Sequence, residues 1–402
     1  MTDTLNPKTI DIIKATTPAI EAHGLDIVRR MYERMFQNEA IRDLFNQSHH
    51  GEAGAQPKAL ATAILAYARN IDQLAALAPA VERIAQKHVG LQILPEHYPY
   101  VAEALLGAIR DVLGEAATDD ILGAWGEAYW FLANILIGRE KQIYHEIETA
   151  PGGWHGWREF RVTERREESD IITSFVLAPV DGKPVMPHQP GQYLTFWLDI
   201  PGEPPVKRNY TISSAPSTRD YRISVKREPE GLASIWLHDS APVGTVLKVA
   251  PPAGEFFLPP RPERPVVLLS GGVGLTPMMS MLETAVINHP SLDVHYVHGT
   301  LNSTTHAMKQ AVRSLAVGGR RRSTVFYLEP AANDQRGKDY DHEGLITVDW
   351  LKENTPIDQA DYYLCGPKPF LRNFVTALSM AGVPANRIHY EFFGPADELL
   401  AA

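Results

Sequence analysis

Cysteine is nearly absent: Cys365 is the single thiol among 402 residues. An intrachain disulfide is therefore impossible, and so is an iron–sulfur cluster held by this chain alone, which needs several thiolates. The scarcity fits a reducing compartment, and the cytoplasm is the expected location. No stretch approaches the roughly 18 consecutive apolar residues of a membrane-spanning helix. The opening MTDTLNPKTIDII has an early acid and lacks the apolar core of a signal peptide. Basic residues are in deficit, 38 Lys and Arg against 48 Asp and Glu, for a net charge of −10. Nucleic acid is not an expected partner of such a chain. With 44% hydrophobic and 21% charged residues, the composition is that of globular protein rather than a disordered one. Its length allows roughly two to four domains.

Three textures follow one another along the chain. Residues 1–148 carry Ala, Leu and Ile at three- and four-residue spacing, which predicts helices. APGGWHGW, residues 150–157, interrupts that pattern with glycines and a proline. The runs REFRVTER, DIITSFVLAP, YLTFWLDI, VKRNYTIS, DYRISVKRE and TVLKVAPP then predict an antiparallel β-barrel over 155–260. A second break, PPRPERP, precedes 264–402. There PVVLLS, LDVHYVHG, TVFYLEP, ADYYLCG and RIHYEFF alternate with helical stretches, as in an α/β doubly wound parallel sheet.

In the helical part, Leu25, Val28, Tyr32, Met35 and Phe36 share a face, which turns Tyr32 inward. A helix expected to start at Gln56-Pro57, with proline at its first position, points Gln56, Leu60, Ile64, Tyr67 and Ile71 inward. One opened by Pro79 does the same for Val81, Ile84 and His88. Trp125, Tyr129, Leu132, Leu136 and Glu140 form a stripe on a long helix. Taken singly, each is an ordinary core or boundary residue. As an ordered set across an all-helical segment, Tyr32, Phe45, Gln56, Leu60, His88, Tyr98 and Glu140 resemble the globin domain of bacterial flavohaemoglobins. The resemblance implies haem b with His88 as proximal iron ligand, Phe45 against the porphyrin, and Tyr32, Gln56 and Leu60 in the distal pocket. Tyr98 and Glu140 would supply a hydrogen-bond relay behind the imidazole, making it more electron-donating. Trp130 is bulkier than expected where helices crowd near the haem; it either narrows the pocket or faces a helix groove.

The second part carries RNYTISSAP. Arg208, Asn209, Tyr210 and Thr211 resemble the flavin motif of ferredoxin-reductase-like proteins, with Arg208 toward the FAD pyrophosphate and Tyr210 on the isoalloxazine. Tyr193 in GQYLTFWL matches a second FAD contact. Gly231 to Ser234 open a helix whose N–H groups suit pyrophosphate. The terminal YEFFGP places Phe392, Phe393, Gly394 and Pro395 at the flavin, Phe393 as a cover for the face used by nicotinamide. VVLLSGGVGLTPMMSM sets Gly271, Gly272, Val273, Gly274, Leu275, Thr276 and Pro277 between a buried strand and a helix, the context a phosphate cradle needs. It departs from GxGxxG at Thr276 and Pro277 and resembles the reductase family instead. Cys365, Gly366 and Pro367 in CGPKPF match that family's nicotinamide-side motif. Lys87 and Glu391 match positions that tune haem redox behaviour at the interdomain face.

The resemblance covers essentially the whole chain. It implies an enzyme, a nitric oxide dioxygenase passing electrons from NAD(P)H through FAD to haem iron, where nitric oxide and O2 become nitrate. FAD is needed because a hydride carries two electrons and iron accepts one. The expected partners are O2 and NO as substrates, with no nucleic acid and no membrane span, in a monomer; the haem pocket has room in this reading for a lipid. Two other readings use the same residues: an oxygen-binding or redox-sensing flavohaemoprotein, and an NAD(P)H-dependent flavin reductase acting on ferric iron, quinones or lipid hydroperoxides.

Overall fold

The computed structural model describes residues 4–42, 55–73, 77–317 and 319–394. The chain forms two compact units. One is built on Met1–Thr149 with Pro205–Lys207 and Gly394–Ala402, the other on Ala150–Pro204 and Arg208–Phe393.

Among the described residues, six α-helices make the first unit: α1 Pro7–Met35, α2 Glu39–Arg42, α3 Ala55–Arg69, α4 Ala78–Gly90, α5 Tyr98–Leu113 and α6 Asp119–Thr149. α1 starts where Asn6 caps it, its Oδ1 accepting from Lys8 N at 3.0 Å, with Pro7 in the first turn where no N–H is needed. Ile13, Ile20, Ile27, Val28, Met31 and Tyr32 of α1 share one core with Tyr67, Leu105, Ile109 and Trp125. α3 begins at Ala55, one residue before the start read from sequence. Pro57 is thus its third residue, still within the turn whose N–H groups lack intrahelical acceptors. By length and composition α6 could cross a membrane, contrary to the expectation that no such stretch exists. Its apolar run also carries the exposed polar residues Glu127 and Asn134, and it packs into this unit with Leu122, Trp125, Ala128, Ala133, Leu136 and Glu140 buried.

The second unit has two sheets. Strands β1 Arg158–Glu167, β2 Ile172–Pro179, β3 Tyr193–Leu198, β4 Val206–Thr211, β5 Tyr221–Lys226 and β6 Val246–Val249 form the first, in the order β4-β3-β6-β1-β2-β5. Its β1 pairings are antiparallel, and the inner face of β1 shows in the burial of Phe160 and Val162 between exposed neighbours. Helix α7, Leu232–Ser240, follows β5. The second sheet holds β7 Val266–Gly271, β8 Val294–Thr300, β9 Arg321–Tyr327, β10 His342–Glu343, β11 Asp361–Cys365 and β12 Ile388–Glu391 in the order β10-β9-β8-β7-β11-β12. Every pairing in it is parallel. All of β7 is buried, as a central parallel strand covered on both faces must be. Helices α8 Leu275–Asn288, α9 Lys309–Leu315, α10 Val348–Asn354 and α11 Lys368–Met380 make the connections.

PPRPERP lies between the two sheets, which belong to one compact unit. The polar edge of α8 joins the sheets: Glu283 takes the Ala215 N–H at 2.8 Å and the Arg222 guanidinium at 2.7 Å, and Ser280 donates to the Ser214 carbonyl at 2.7 Å. Ile172 of the first sheet shares a core with Met278, Met279 and Met281 of α8.

Of the four buried histidines of this unit among the described residues, three are held neutral far below the usual range. Burial lowers His188 to about 3, His298 to about 4 and His306 to about 2. The unfolded chain takes up these protons through pH 6.5, whereas the native state stays neutral until far lower pH. Stability is therefore complete above 6.5 and falls on acidification, by up to about 1.4 kcal/mol per pH unit for each histidine. At pH 5.5 the three together should cost about 4 kcal/mol, so the hydrogen-exchange protection of β7 and β8, relative to intrinsic rates, should drop by ~1,000-fold from its pH 7.5 value. Unchanged protection would mean that the imidazoles are not neutral in the folded protein.

Candidate functional site

In the helical unit, the end of α4 fixes His88. Leu91 N returns to the Lys87 carbonyl at 3.0 Å, and Ile93 N to that of His88 at 2.9 Å. Gln92 accepts a left-handed backbone (φ +60°) and closes the Val89 carbonyl with its own amide at 2.9 Å. The imidazole Nδ1 then meets Glu140 Oε1 of α6 at 2.7 Å and the Tyr98 hydroxyl of α5 at 3.1 Å. Tyr98 donates to the same Glu140 oxygen at 2.6 Å. Burial, then the bond to Glu140, pushes the Tyr98 hydroxyl far above its ordinary pKa, so it remains a donor. One Glu140 oxygen thus faces both Nδ1 and the Tyr98 hydroxyl, an arrangement that suits the tautomer with its proton on Nδ1 and its lone pair on Nε2. The Glu140 side chain is only 3% exposed, and its Oε2 has no partner among the described residues. A buried acid is a costly thing to place behind an ordinary core histidine. It suits an imidazole whose Nε2 holds haem iron.

Sequence reasoning missed the clamp that sets this geometry. Arg139, next to Glu140 on α6, makes a two-pronged pair with Glu82 of α4 at 2.7 and 3.0 Å. A charged pair at i and j on two amphipathic helices reads in sequence as two solvated residues. Tyr129 adds a bond from its hydroxyl to the Tyr98 carbonyl at 2.8 Å.

On α1, Tyr32 is 7% exposed, and its ring lies 5.3 Å from that of Phe36. Burial drives its phenol well above the ordinary value, so Tyr32 stays a hydrogen-bond donor at neutral pH. Leu60 of α3 packs against the core that contains Tyr32. Gln56 stands in the first turn of α3; its side chain, Phe45 and Pro395 lie outside the described residues. Lys87 is half-buried on α4. Trp130 is 38% exposed and meets Tyr129 edge to face at 5.5 Å, which puts it on the outer side of α6.

In the second unit, Tyr193 opens β3 and pairs with Ala253. Its hydroxyl is fully enclosed and has no partner among the described residues. Burial first, then Glu391 and Glu255, push that hydroxyl well above its ordinary pKa. An orphaned buried phenol beside a β-barrel rim is a fitting contact for a flavin. β4 brings Arg208, Tyr210 and Thr211 to the same sheet: Tyr210 packs edge-on to Phe196 at 5.6 Å, Thr211 is buried, and Asn209 is exposed. Burial lowers the pKa of the half-covered Arg208 guanidinium, an environment that favours an anionic partner. Gly231 caps α7, whose first-turn N–H groups lack intrahelical acceptors. The Ser234 hydroxyl is already used, accepting from Glu228 N and donating to the Gly231 carbonyl. The backbone is therefore what α7 offers to a phosphate. β12 leads from Glu391 into Phe392, Phe393 and Gly394, and Phe393 is 49% exposed.

The glycine turn after β7 is a single 3-10 turn, Gly272–Gly274, leading directly into α8. Gly271 ends β7, and Leu275, Thr276 and Pro277 form the buried first turn of α8, with Thr276 Oγ1 donating to the Val273 carbonyl at 3.1 Å. Gly272 has φ +55° with open space where a side chain would stand. At Gly274 a Cβ would lie 2.1 Å from the Cys365 carbonyl oxygen. The turn and the CGP segment after β11 thus pack backbone to backbone. Both segments lie at the C-terminal ends of β7 and β11, the place where doubly wound folds hold dinucleotide phosphates. Cys365 is fully buried, and burial, with Glu391 adding, raises its thiol pKa; Gly366 and Pro367 carry the chain from it into α11.

Comparison with known proteins identifies the family of the chain. Residues 29–136 match the globin family model, 159–258 the oxidoreductase FAD-binding domain, and 268–376 the oxidoreductase NAD-binding domain. The flavohemoprotein of Xylella fastidiosa is 55% identical over 403 residues, covering 100% of both chains. That of Rhodopirellula baltica is 47% identical over 407 residues, covering 99% of this chain and 100% of its own. The crystal structure of a Malassezia yamatoensis flavohemoglobin with bound FAD and heme aligns with a TM-score of 0.85 at 27% identity, over 97% of this chain and 100% of that one. The FAD/NAD-binding domain of a nitric oxide dioxygenase from Vibrio cholerae is 39% identical, with a TM-score of 0.55, over 59% of this chain and 99% of that one. Haem, FAD and a nicotinamide dinucleotide are the cofactors of the three domains, and the chain belongs to the flavohaemoglobin family of oxidoreductases.

Proposed function

We propose that this protein is a nitric oxide dioxygenase, converting nitric oxide and O2 to nitrate with electrons from NAD(P)H, and that it acts as a cytoplasmic monomer in nitric oxide detoxification. The observation that carries this reading is the His88–Glu140–Tyr98 relay on a chain with its own flavin and nicotinamide domains. When bound, the cofactors divide the chemistry: nicotinamide gives a hydride, FAD divides it into single electrons, and haem iron brings O2 and nitric oxide together.

The chain's residues supply position and electrostatics. His88 offers Nε2 while Glu140 holds the Nδ1 proton, which makes the ring a stronger donor and favours activation of oxygen over its carriage. Tyr98 keeps Glu140 in place by donating to the same oxygen. With haem bound, the Tyr32 hydroxyl would donate to the oxygen ligand, Gln56 would be a second polar group of that pocket, and Leu60 would restrict larger ligands. With FAD bound, Arg208 and the α7 backbone would hold its pyrophosphate, Tyr193, Tyr210 and Thr211 would orient the ring, and Phe393 would cover the face that nicotinamide needs. Gly271 to Pro277 and Cys365 to Pro367 would hold the dinucleotide. Lys87 and Glu391 place charge beside the haem ligand and the flavin, respectively.

A hydrogen bond to a charged acceptor contributes roughly 1.5–3 kcal/mol, so Tyr32→Phe should release oxygen ~10-fold faster or more in stopped-flow measurements. An unchanged off-rate would remove Tyr32 from this role. The reading as a whole is tested by isotope: with ¹⁸O2 supplied, nitrate should carry both labelled atoms. Unlabelled nitrate would sink the dioxygenase assignment.

A further inference from the structure

The carboxyl ends of β8 and β9 carry features that bear on which nicotinamide dinucleotide is used. In a doubly wound sheet the dinucleotide lies across the crevice where strand order reverses, with its phosphates on the first glycine turn. The reversal here falls at β7, with β8 on one side and β11 on the other. The β11 side leads to β12, whose Glu391 acts electrostatically on Tyr193 at the flavin rim. Nicotinamide must reach the flavin, so the adenosine half is left with the ends of β8 and β9.

The ladder there runs past the strands. Leu328 N bonds the Thr300 carbonyl and Glu329 N the Leu301 carbonyl, both at 3.0 Å. Leu301 and Leu328 thus become lateral neighbours, 42% and 44% exposed, an apolar platform fit for a purine face. Beneath it, His306 Nδ1 meets the Tyr327 hydroxyl at 2.9 Å, and Tyr327 stacks on Tyr340 at 5.0 Å, which holds the edge rigid.

The charge on this edge is acidic. Glu329 is exposed, the second residue past the end of β9. Asp334 Oδ2 accepts from Ser303 N at 3.2 Å and Ala331 N at 2.8 Å, tying the two loops together. Residues 299–305 and 328–334 contain no Lys or Arg. The nearest cations along the chain are engaged: Lys309 in an ion pair with Asp339, and Arg336 through Nε with the Asp341 carbonyl at 2.9 Å.

We propose that Glu329 selects NADH over NADPH: its carboxylate accepts from the adenosine ribose 2′-hydroxyl and repels a 2′-phosphate. An acid near such a strand end takes the 2′-hydroxyl in dinucleotide folds, whereas an arginine accommodates the phosphate. The proposal rests on the dinucleotide reading of this crevice and not on nitric oxide chemistry.

Calorimetric titration of the purified, flavin-loaded full chain with NAD+ and with NADP+ tests it. NAD+ should bind ~10-fold tighter or more, the scale of a hydrogen bond to a charged group gained by one nucleotide and lost by the other. Glu329→Gln should narrow the ratio by strengthening NADP+ binding, and Glu329→Arg should invert it. Glu353→Gln, on α10, removes the same charge elsewhere and should leave the ratio unchanged. Equal affinities in the parent protein, an unaltered ratio in Glu329→Gln, or an equal shift in Glu353→Gln would each overturn the role of Glu329. Failure of both nucleotides to bind would instead overturn the dinucleotide reading of the crevice.

Discussion

Replacing His88 with alanine is expected to strip haem from the protein and abolish nitric oxide turnover, while NADH oxidation with an artificial acceptor survives. The imidazole is the group at this site with a nitrogen lone pair to give to iron. Its loss should exceed the roughly 10–100-fold that removing a partner behind a metal ligand costs. The reductase half should be spared because none of its residues named above depends on α4. The substitution also deprives Glu140 of its Nδ1–H donor while that carboxylate is 3% exposed. A buried acceptor losing a partner costs about 1–3 kcal/mol, so the helical unit should melt earlier as well. The absorbance of haem and flavin, recorded on one sample, separates the halves. Nitric oxide consumption that persists in the haem-free variant would make the flavin the site of reaction and remove His88 from the mechanism.

Gly274→Ala is expected to abolish dinucleotide binding with haem and flavin retained. The backbone of Gly274 has φ −60°, which alanine adopts without strain. The obstacle is steric: the new Cβ would stand 2.1 Å from the Cys365 oxygen, 2.4 Å from its carbonyl carbon and 2.8 Å from Gly366 N. These are backbone atoms of β11 and the turn after it, so the strand end or the glycine turn must move. Overpacking of this kind typically costs about 1–3 kcal/mol and sometimes more, and here the strain falls on the atoms that would hold phosphate. Gly272→Ala is the control of opposite kind. Its φ of +55° is unfavourable, but nothing lies within 4 Å, so it should cost only about 1–2 kcal/mol of backbone energy. Titration with NAD+ and thermal unfolding distinguish the two; equal effects would show that the close packing against Cys365 does not shape the cradle.

Much of this was legible in the sequence because the informative residues sit where local rules are strict. The glycine turn follows a fully buried strand and opens a helix, and no other residue type meets the requirement at Gly274. Each of the six strands of the first sheet coincides with a strand-like run read from the sequence. Tyr98 and Glu140 gained meaning only as an ordered set with His88, and the 2.6 and 2.7 Å bonds bear out that they meet. What escaped the sequence depends on partners distant in the chain. Arg139 and Glu82 look like surface charges until α4 and α6 are laid together. Ser280 and Glu283 look like an ordinary helix edge, yet they tie α8 to the first sheet through Ser214, Ala215 and Arg222. The apolar run of α6 hid behind the scattered small residues of a core helix. β10 pairs over only two residues, His342 and Glu343, too few to leave a period in the sequence.

The central claim is that one chain carries electrons from a nicotinamide dinucleotide to a His88-bound haem that consumes nitric oxide. The most direct test is aerobic nitric oxide consumption by the purified holoprotein with NADH, with nitrate and NADH measured together. The account predicts one nitrate per nitric oxide and one NADH per two, with turnover lost when either O2 or NADH is withheld. Rapid NADH oxidation in which nitric oxide is consumed no faster than in buffer, and no nitrate accumulates, would contradict it.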